Sequence, residues 1–440
     1  MRVALICPAE DRDRVRRRGD RPRESKILRT NRVSLLAVAA ATPDGHEIVY
    51  VDEHVEPIDF GMRADVVGVS FPTGLAPRAY EIGDGFRRRG VPVAFGGYHP
   101  TFMPDEAMLH CDAVCVGEAE PSWPRMLSDL AGGRMEKVYR ANGPCDLAGL
   151  GFLRRDIMKS EAYFSTNVVL AGRGCPHACE YCSVTSFFHH QYRCRPVSEV
   201  IREIRTLPGG LVLFGDDNLV ADRAFALQLF QELEPLGKEW LSQCNLSIGE
   251  DTELLALAAR SGCRGIFIGF ESLSDRNLSQ MGKGFYRAEH YAEIVGRIQE
   301  AGIAVMGGFV FGFDHDDDEV FDRTIEFVRK QRLVAAQLAI LTPFPGTPLF
   351  ERLDADGRIL DRDWSRYDFR HVVFRPRRMS PEALQEGTDR VIDRFYSGRA
   401  ILGRIGAALP VWGVRRTLLY ALPLNIGYRL DLRRSPRARA

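Results

Sequence analysis

The sequence predicts an α/β protein with an N-terminal doubly wound parallel sheet, then a partial (β/α)6 barrel, then a mainly helical C-terminal tail. Three observations support this fold class. Short apolar runs alternate with helical patterns over about the first 130 residues, a second alternating series begins at Thr166, and the alternation weakens beyond Phe350. Continuous apolar strands joined by helical crossovers indicate parallel sheets that are covered on both faces.

The first series predicts a doubly wound domain of about five strands over residues 1–135. Residues 136–165 carry no clear period and are interpreted as a linker. The predicted strands are Arg2–Cys7, Glu47–Val51, Asp65–Ser70, Pro92–Phe95 and Ala113–Val116, and the predicted helices are Val33–Ala41, Ala76–Arg89 and Pro121–Ala131.

The second series predicts a barrel over residues 166–350, because six strand–helix units of this size are typical of a partial or full parallel barrel. The predicted strands are Thr166–Ala171, Gly210–Phe214, Trp240–Ser247, Gly265–Phe270, Ile303–Phe311 and Ala335–Leu341. The predicted helices are Val197–Thr206, Asp222–Glu234, Asp251–Ser261, Arg287–Ala301 and Asp318–Lys330. Residues 351–440 are predicted to form a helical extension that includes a helix at Pro381–Tyr396.

Composition narrows the function classes. Lys+Arg and Asp+Glu both number 59, so the chain has no overall field that would attract nucleic acid, and no nucleic-acid partner is expected. No apolar run is long enough to span a bilayer, and the N-terminus lacks the layout of a secretory signal. Ten unevenly spaced cysteines in a chain of this size fit a cytoplasmic, reducing setting, where clustered cysteines indicate a metal site or catalysis.

Three cysteines are clustered directly after the first barrel strand. Cys175, Cys179 and Cys182 are separated by four and three positions. A loop this tight can wrap three thiolates around one inorganic cluster. Because iron–sulfur clusters are normally held by four thiolates, three leave one iron open to a substrate. A structural zinc site is the alternative, with His177 or Cys194 as a fourth ligand.

The pattern Cys175-x-x-x-Cys179-x-Tyr181-Cys182 resembles the defining motif of the radical S-adenosylmethionine (SAM) superfamily. The resemblance covers roughly residues 1–400, and it extends to the subgroup with a cobalamin-binding-type domain ahead of the barrel. The other stretches that carry it are 96–100, 116–120, 214–218, 267–272, 307–313 and 342–348.

The resemblance implies an enzyme that uses a 4Fe–4S cluster to cleave SAM to a 5′-deoxyadenosyl radical. It further implies cobalamin-dependent C-methylation of an unactivated carbon in a lipid or other secondary metabolite. The alternative is a radical SAM cyclase, rearrangement or carbon–carbon bond-forming enzyme without functional cobalamin. Minor alternatives are a tRNA methylthiotransferase and a non-enzymatic iron–sulfur protein. No catalytic side chain is assigned beyond the cluster ligands.

Three carboxylates follow barrel strands and are therefore expected at the carboxyl-terminal mouth, where parallel barrels place their active sites. Asp216 and Asp217 follow the second strand, and Glu271 follows the fourth. By resemblance, the aspartates contact the amine of SAM, where many relatives have Gly-Gly-Glu. Glu271 would contact the ribose or the methionine end, and Tyr181 would lie near the adenine. The alternatives are a helix N-cap before Ala224 for the aspartates and an exposed loop acid for Glu271.

The resemblance places cobalamin at the strand ends of the N-terminal domain, where Gly96, Gly97 and Gly117 allow close backbone approach. The Asp-x-His-x-x-Gly loop that supplies a lower axial histidine in many cobalamin proteins is missing after the first strand. His54 and His99 are the nearest substitutes by position, and an ordinary loop histidine is the alternative for each.

The expected partners are a small-molecule or lipid substrate and an external electron donor such as flavodoxin or ferredoxin. The stretch Ile401–Tyr428 mixes Leu, Ile, Val and Trp with Arg404, Arg415 and Arg416. This composition fits a peripheral membrane-surface element, and a helix packed on the barrel is the alternative.

Overall fold

Two six-stranded parallel sheets form where the sequence alternates apolar strands with helices. This computed structural model describes residues 1–10, 13–17, 20, 26, 28–29, 33–141 and 143–434. The chain divides into two units. The N-terminal unit comprises Met1–Thr166, Phe344–Gly346 and Asp363–Asp368, and the barrel unit comprises Asn167–Pro343, Thr347–Arg362 and Phe369–Ala440. The finer domain boundaries at residues 135, 165 and 350 stay predictions.

The N-terminal unit is a doubly wound sheet with the strand order β2-β1-β3-β4-β5-β6. Helices cover both faces, since α1 and α5 pack in one apolar cluster and α2 packs in the other. One strand more than predicted is present, because Val138–Arg140 pairs in parallel with the fifth strand. The strands are β1 Arg2–Cys7, β2 Glu47–Asp52, β3 Val66–Ser70, β4 Val93–Gly96, β5 Ala113–Val116 and β6 Val138–Arg140, and the helices are α1 Val33–Ala41, α2 Ala76–Arg87, α3 Tyr98–Phe102, α4 Pro104–Ala107 and α5 Trp123–Ala131.

The barrel unit contains a second parallel sheet with the strand order β14-β13-β12-β11-β10-β7. Its strands follow one another in chain order, as a partial (β/α)6 barrel requires. The strands are β7 Val168–Val169, β10 Leu211–Phe214, β11 Glu239–Gln243, β12 Cys263–Glu271, β13 Ala304–Phe311 and β14 Ala335–Ile340. A short antiparallel pair, β8 Gly172–Gly174 and β9 Tyr192–Cys194, brackets the cysteine loop.

Helices follow the barrel strands and bury their apolar faces against them. The barrel helices are α6 Ser183–Phe187, α7 Val197–Thr206, α8 Arg223–Leu233, α9 Thr252–Arg260, α10 Asp275–Gln280, α11 Tyr291–Glu300, α12 Val320–Lys330 and α13 Pro348–Ala355. The predicted strand Trp240–Ser247 ends earlier than expected, at Gln243. The Asn245 side chain accepts a hydrogen bond from the backbone of Ser247 and begins a 3-10 turn there.

The C-terminal tail is helical, as predicted. It consists of α14 Pro381–Phe395, α15 Gly398–Arg416, a π-helical turn at Thr417–Ala421, and α16 Leu422–Arg434. Residues 435–440 of the predicted extension lie outside the described residues. Within the described part of the chain, no helix is both long enough and apolar enough to cross a membrane. The predicted fold class is confirmed.

Candidate active site

The cysteine loop is held by close backbone contacts on two sides. Cys175 follows β8, and Cys182 precedes α6. A Cβ on Gly174 would lie 2.1 Å from the carbonyl oxygen of Gln191, and a Cβ on Gly282 would lie 2.6 Å from that of Ala178. Both glycines also have positive φ angles, so side chains are excluded for two reasons. The backbone therefore fixes the path of the loop.

The three thiols share one electrostatic environment. Burial, opposed by Lys283 and aided by Cys182, Glu271 and Cys175, raises the pKa of Cys179 to about 12. Burial also raises the pKa of Cys175, with Cys182 adding to the effect. Metal ligands must be thiolates. The site therefore needs a positive charge to hold three of them, either from a bound metal or from the protein.

Lys283, which is not among the predicted site residues, supplies such a charge. Its Nζ donates hydrogen bonds to Glu271 Oε1 at 2.9 Å and to the carbonyl oxygen of Gly269 at 3.3 Å. Burial disfavours its charge, but Glu271, Cys179 and Cys182 raise the pKa of Lys283 above its usual value. The sequence shows only a lysine between two glycines, Gly282-Lys-Gly284, after the fourth barrel strand, which does not by itself indicate a site residue.

Glu271 lies at an irregular strand end. The register of β12 against β13 shifts between Gly269 and Glu271, and Glu271 has a φ of 61°. Left-handed backbone is unfavourable for a residue with a side chain and tends to occur at functional sites. The exposed-loop alternative for Glu271 is wrong, because only 14% of its side chain is exposed.

Tyr181 lies beside this acid. Burial raises its pKa well above the usual value, and the charge and hydrogen bonding of Glu271 raise it further. Its ring also contacts Phe313 edge-on, with centroids 6.1 Å apart. The structure thus brings together Tyr181, Glu271 and the cysteine loop. The predicted contact between Tyr181 and adenine stays a prediction.

The two adjacent aspartates have different environments. Asp216 accepts backbone hydrogen bonds from Ala171 at 3.0 Å and Gly172 at 2.5 Å, so both of its carboxylate oxygens are engaged by the segment leading to β8. Asp217 lies close enough to Cys175 to raise the pKa of that thiol. Burial raises the pKa of Asp217 to about 6, while a backbone hydrogen bond from Gly174 lowers it. The N-cap alternative is wrong, because Asp222 caps α8 instead.

The described residues show no preformed zinc site at the cysteine loop. Zinc draws its thiolates together around one ion, whereas each thiolate of an iron–sulfur cluster binds its own iron. Among the described residues, Cys7, Asp52 and His54 form the one trio of such ligands whose atoms all lie within 4.8 Å of one another. Cys175, Cys179 and Cys182 do not form such a trio. His177 instead contacts Asn245 and stacks on Phe285.

The three glycines proposed for cobalamin lie at the carboxyl ends of β4 and β5 in the N-terminal unit. A Cβ on Gly97 would lie 2.9 Å from the backbone of Phe71. The local packing against Phe71 therefore requires glycine at this position, whether or not a ligand binds. A Cβ on Gly96 would make ordinary contacts with Cys115, and one on Gly117 would meet nothing within 4 Å. Open space is therefore present around Gly117 at the end of β5, and Gly96 has room for a small side chain at the end of β4.

Both histidines weighed as axial ligands form internal hydrogen bonds. Asp52 Oδ1 lies 2.8 Å from His54 Nδ1, and the other Asp52 oxygen accepts a hydrogen bond from Tyr163. His99 is fully buried, with Nε2 2.9 Å from the Tyr80 hydroxyl and Nδ1 3.3 Å from Thr73. Burial lowers the pKa of His99 to about 4, against the opposing effect of Glu106. Both ring nitrogens of His99 are thus occupied.

A parallel barrel with three thiols in the loop after its first strand defines a radical SAM fold and site, here preceded by a doubly wound domain. Two family models match accordingly. The model described as the radical SAM superfamily matches residues 169–328, and the one described as the B12 binding domain matches residues 29–126.

Similar proteins agree with these matches. The chain is 32% identical over 390 residues to bacteriochlorophyllide d C-12(1)-methyltransferase of Chlorobaculum tepidum, covering 85% of this chain and 84% of that protein. It is 29% identical over 399 residues to the C-8(2)-methyltransferase of the same organism, covering 84% and 87%. The structure of the radical SAM methyltransferase TsrM from Kitasatospora setae has the same fold, with a TM-score of 0.71 at 15% identity over 98% and 99% of the two chains.

The chain therefore belongs to the radical SAM superfamily, in the subgroup with an N-terminal B12-binding domain. The predicted enzyme class is confirmed. The cofactor predictions of a 4Fe–4S cluster, SAM and cobalamin are confirmed with it. The roles of the individual residues stay predictions.

Proposed function

We propose that this protein is a cobalamin-dependent methyltransferase that methylates an unactivated carbon on a side chain of a tetrapyrrole. The observation that carries the proposal is the 32% identity to a bacteriochlorophyllide methyltransferase over most of both chains. The second relative methylates another position of the same pigment class. A tetrapyrrole of this kind is a small-molecule substrate, in line with the partner expected from the sequence.

Cys175, Cys179 and Cys182 are assigned as the cluster ligands. When bound, the cluster and SAM supply the radical that abstracts hydrogen, and cobalamin supplies the methyl group. Lys283 offsets the thiolate charge, and Glu271 orients Lys283 through their hydrogen bond. In this proposal, Asp217 contacts the amine of SAM, and Tyr181 lies near its adenine.

Asp216 has a positioning role in this proposal, because its carboxylate is engaged by the backbone of Ala171 and Gly172. Gly96 and Gly117 give the corrin access to the backbone at the strand ends. Gly97 keeps the neighbouring loop in place, since its Cβ position is blocked by Phe71.

The cysteine loop is anchored by an ion-pair network. Glu180, between two of the cluster cysteines, accepts a hydrogen bond from Arg352 at 2.8 Å. Arg352 also donates to Asp314 at 2.9 Å, and Arg358 donates to the other Asp314 oxygen at 2.8 Å. Such an arrangement holds the ligands in place before the cluster binds, which reduces the entropy lost on ordering them.

The proposal includes two further partners. The electron for SAM cleavage comes from an external flavodoxin or ferredoxin. The C-terminal tail makes peripheral contact with a membrane, and the enzyme works in the cytoplasm.

The test uses the full chain, purified without oxygen and loaded with cluster and cobalamin. SAM, a low-potential reductant and a panel of chlorophyllide-type pigments, hopanoid lipids and simple porphyrins are added, and products are analysed by mass spectrometry. We expect one methyl group added to an alkyl substituent of a chlorin, together with 5′-deoxyadenosine. The variant Cys175→Ala/Cys179→Ala/Cys182→Ala should form neither product, whereas Cys194→Ala should form both.

The controls separate the alternatives. Methylation of a hopanoid and of no pigment would contradict the tetrapyrrole assignment. Ring closure without methyl transfer, unaffected by omission of cobalamin, would establish the cyclase alternative. Full iron and sulfide in the triple variant would refute the cluster assignment.

A further inference from the structure

The inner side of the C-terminal helices is fixed to the barrel unit. Trp412 Nε1 donates a hydrogen bond to the carbonyl oxygen of Arg264 at 2.5 Å, and Asn425 Nδ2 donates to that of Val334 at 2.9 Å. Ala408, Trp412 and Ala421 are buried in a small apolar cluster with Ala304 and Val334. These contacts hold the tail helices against the barrel strands.

The tail helices also carry exposed large apolar side chains, which are together termed here the outer tail face. Leu402 is 72% exposed, Val414 66% and Leu418 52%. A helix side that faces water is normally polar or charged, so a concentration of exposed large apolar side chains in one segment indicates an interaction surface. The exposed large apolar residues of the outer tail face are Leu402, Leu409, Val414, Leu418, Leu419, Ile426 and Leu430.

The same segment carries charge of one sign. From Ser397 to Leu430 the sequence contains no Asp or Glu, although 27% of the whole chain is charged. Arg399 and Arg415 are exposed on α15. Other arginines of the segment are held by neighbours, such as Arg416, which pairs with Glu239 at 2.6 Å. The exposed charge of this segment is therefore positive.

One partner satisfies both features. A second copy of this chain in a two-fold contact through this segment would bring together two surfaces that carry arginine and no acid. A lipid interface instead takes leucine side chains into the acyl boundary, and anionic head groups attract arginine. We infer that the outer tail face docks on the surface of an anionic lipid bilayer. This inference rests on the membrane contact in the proposed function and is independent of methyl transfer.

The test measures partition of the full-length holoenzyme onto vesicles by co-sedimentation. One vesicle type is phosphatidylcholine, and the other contains about one quarter phosphatidylglycerol. The variant Leu402→Glu/Leu418→Glu removes two exposed apolar contacts. The matched control Leu109→Glu/Leu360→Glu changes two leucines that are 70% and 47% exposed elsewhere. Arg399→Gln/Arg415→Gln tests the charge. Iron content and reductive SAM cleavage without vesicles are measured in every variant.

We expect wild type and the matched control to bind anionic vesicles, and Leu402→Glu/Leu418→Glu to bind more than about tenfold more weakly. Arg399→Gln/Arg415→Gln should bind anionic vesicles about 25-fold more weakly, roughly fivefold for each arginine. SAM cleavage should be unchanged throughout, so a failed methylation assay leaves vesicle binding intact and the two proposals fail separately.

Three results would overturn the inference. They are absence of wild-type binding to anionic vesicles, equal binding by wild type and Leu402→Glu/Leu418→Glu, and an oligomer in solution that this variant dissociates. The last result would assign the outer tail face to a second copy of the chain.

Discussion

Lys283 donates a hydrogen bond of 2.9 Å to the carboxylate of Glu271, and the two side chains are only 13% and 14% exposed. The pair lies beside Cys179 and Cys182, whose thiolate forms favour the lysine cation. Each member of the pair therefore depends on the other for compensation of its buried charge. Replacing one member of the pair should therefore lower the free energy of unfolding more than replacing both.

The first prediction concerns this pair. Lys283→Met leaves a buried carboxylate next to three thiols, and we expect a loss of about 3–5 kcal/mol in stability, with poor retention of the cluster. Adding Glu271→Gln should recover part of the loss. The measurements are iron and sulfide content after anaerobic reconstitution and the free energy of unfolding.

Lys330→Met is the matched control, because Lys330 pairs with Glu326 at 2.8 Å on the surface, with 63% and 56% exposure. Lys330→Met should lower the free energy of unfolding by less than about 1 kcal/mol. If Lys283→Met and Lys330→Met lower the free energy of unfolding by similar amounts, the buried pair contributes no more to stability than the surface pair.

Lys283 also shows what the sequence could not reveal. The period of the apolar residues predicted the parallel strands, and the cysteine spacing predicted the loop that holds the thiols. Lys283 follows the short helix α10, and no period relates it to Cys175. It reaches the site because Gly282 allows its loop to approach Ala178 closely, which is a tertiary contact without a local signal.

Asp216 and Asp217 also depend on contacts between residues that are distant in sequence. Their position after the second barrel strand predicted that both would lie near the mouth. Their separate roles depend on which backbone groups each carboxylate meets. The hydrogen bonds from Ala171 and Gly172 to Asp216 join positions about 45 residues apart in sequence, and only the folded backbone shows them.

The second prediction separates these neighbours. Asp216→Ala removes the acceptor of two buried backbone N–H groups, so we expect a loss of about 1–3 kcal/mol in stability. Asp217→Ala removes a carboxylate whose pKa is raised to about 6 by burial. Because Asp217 accepts a backbone hydrogen bond from Gly174 alone, Asp217→Ala should cost less stability than Asp216→Ala, and it should weaken SAM binding by about 1–3 kcal/mol if Asp217 contacts the amine. Calorimetric SAM binding and unfolding of both variants provide the measurements. The reverse pattern, with Asp216→Ala affecting only SAM, would exchange the two assignments.

The third prediction concerns cobalamin. Gly117 has a φ of 80° and open space around its Cβ position. Gly117→Val should therefore place its side chain where the corrin approaches the end of β5 and reduce cobalamin uptake, while the iron content stays normal. Gly133→Val is the matched control, because Gly133 has a φ of 67° and equally open space but lies just after the end of α5. Because the two substitutions introduce comparable backbone strain, a difference in corrin content between the two variants reports a direct effect on cobalamin binding.

The axial coordination is tested on the same protein. Paramagnetic resonance of the reduced cob(II)alamin form should lack the splitting of a histidine nitrogen, because His99 uses both ring nitrogens internally. Splitting that disappears in His54→Ala or His99→Ala would refute this expectation.

The fourth prediction concerns the pH dependence of the N-terminal unit. Tyr80 donates its hydroxyl proton to Glu106 at 2.9 Å, so His99 Nε2–H donates to the Tyr80 oxygen and Nδ1 accepts from Thr73. This arrangement needs the neutral imidazole. The pKa of His99 is lowered to about 4 by burial, below the value of about 6.5 in an unfolded chain.

Its stabilising contribution is therefore fully present above about pH 6.5 and is lost as the pH falls toward about 4. Between about pH 7 and about pH 5 the expected loss is about 2 kcal/mol. Hydrogen exchange of the backbone around His99, corrected for the intrinsic effect of pH, measures this loss. His99→Gln should lose most of the pH dependence. His110→Gln should retain it, because His110 is 30% exposed and pairs with Asp84 at 3.0 Å. An equal pH dependence in wild type and His99→Gln would show that another group controls the acid sensitivity of this unit.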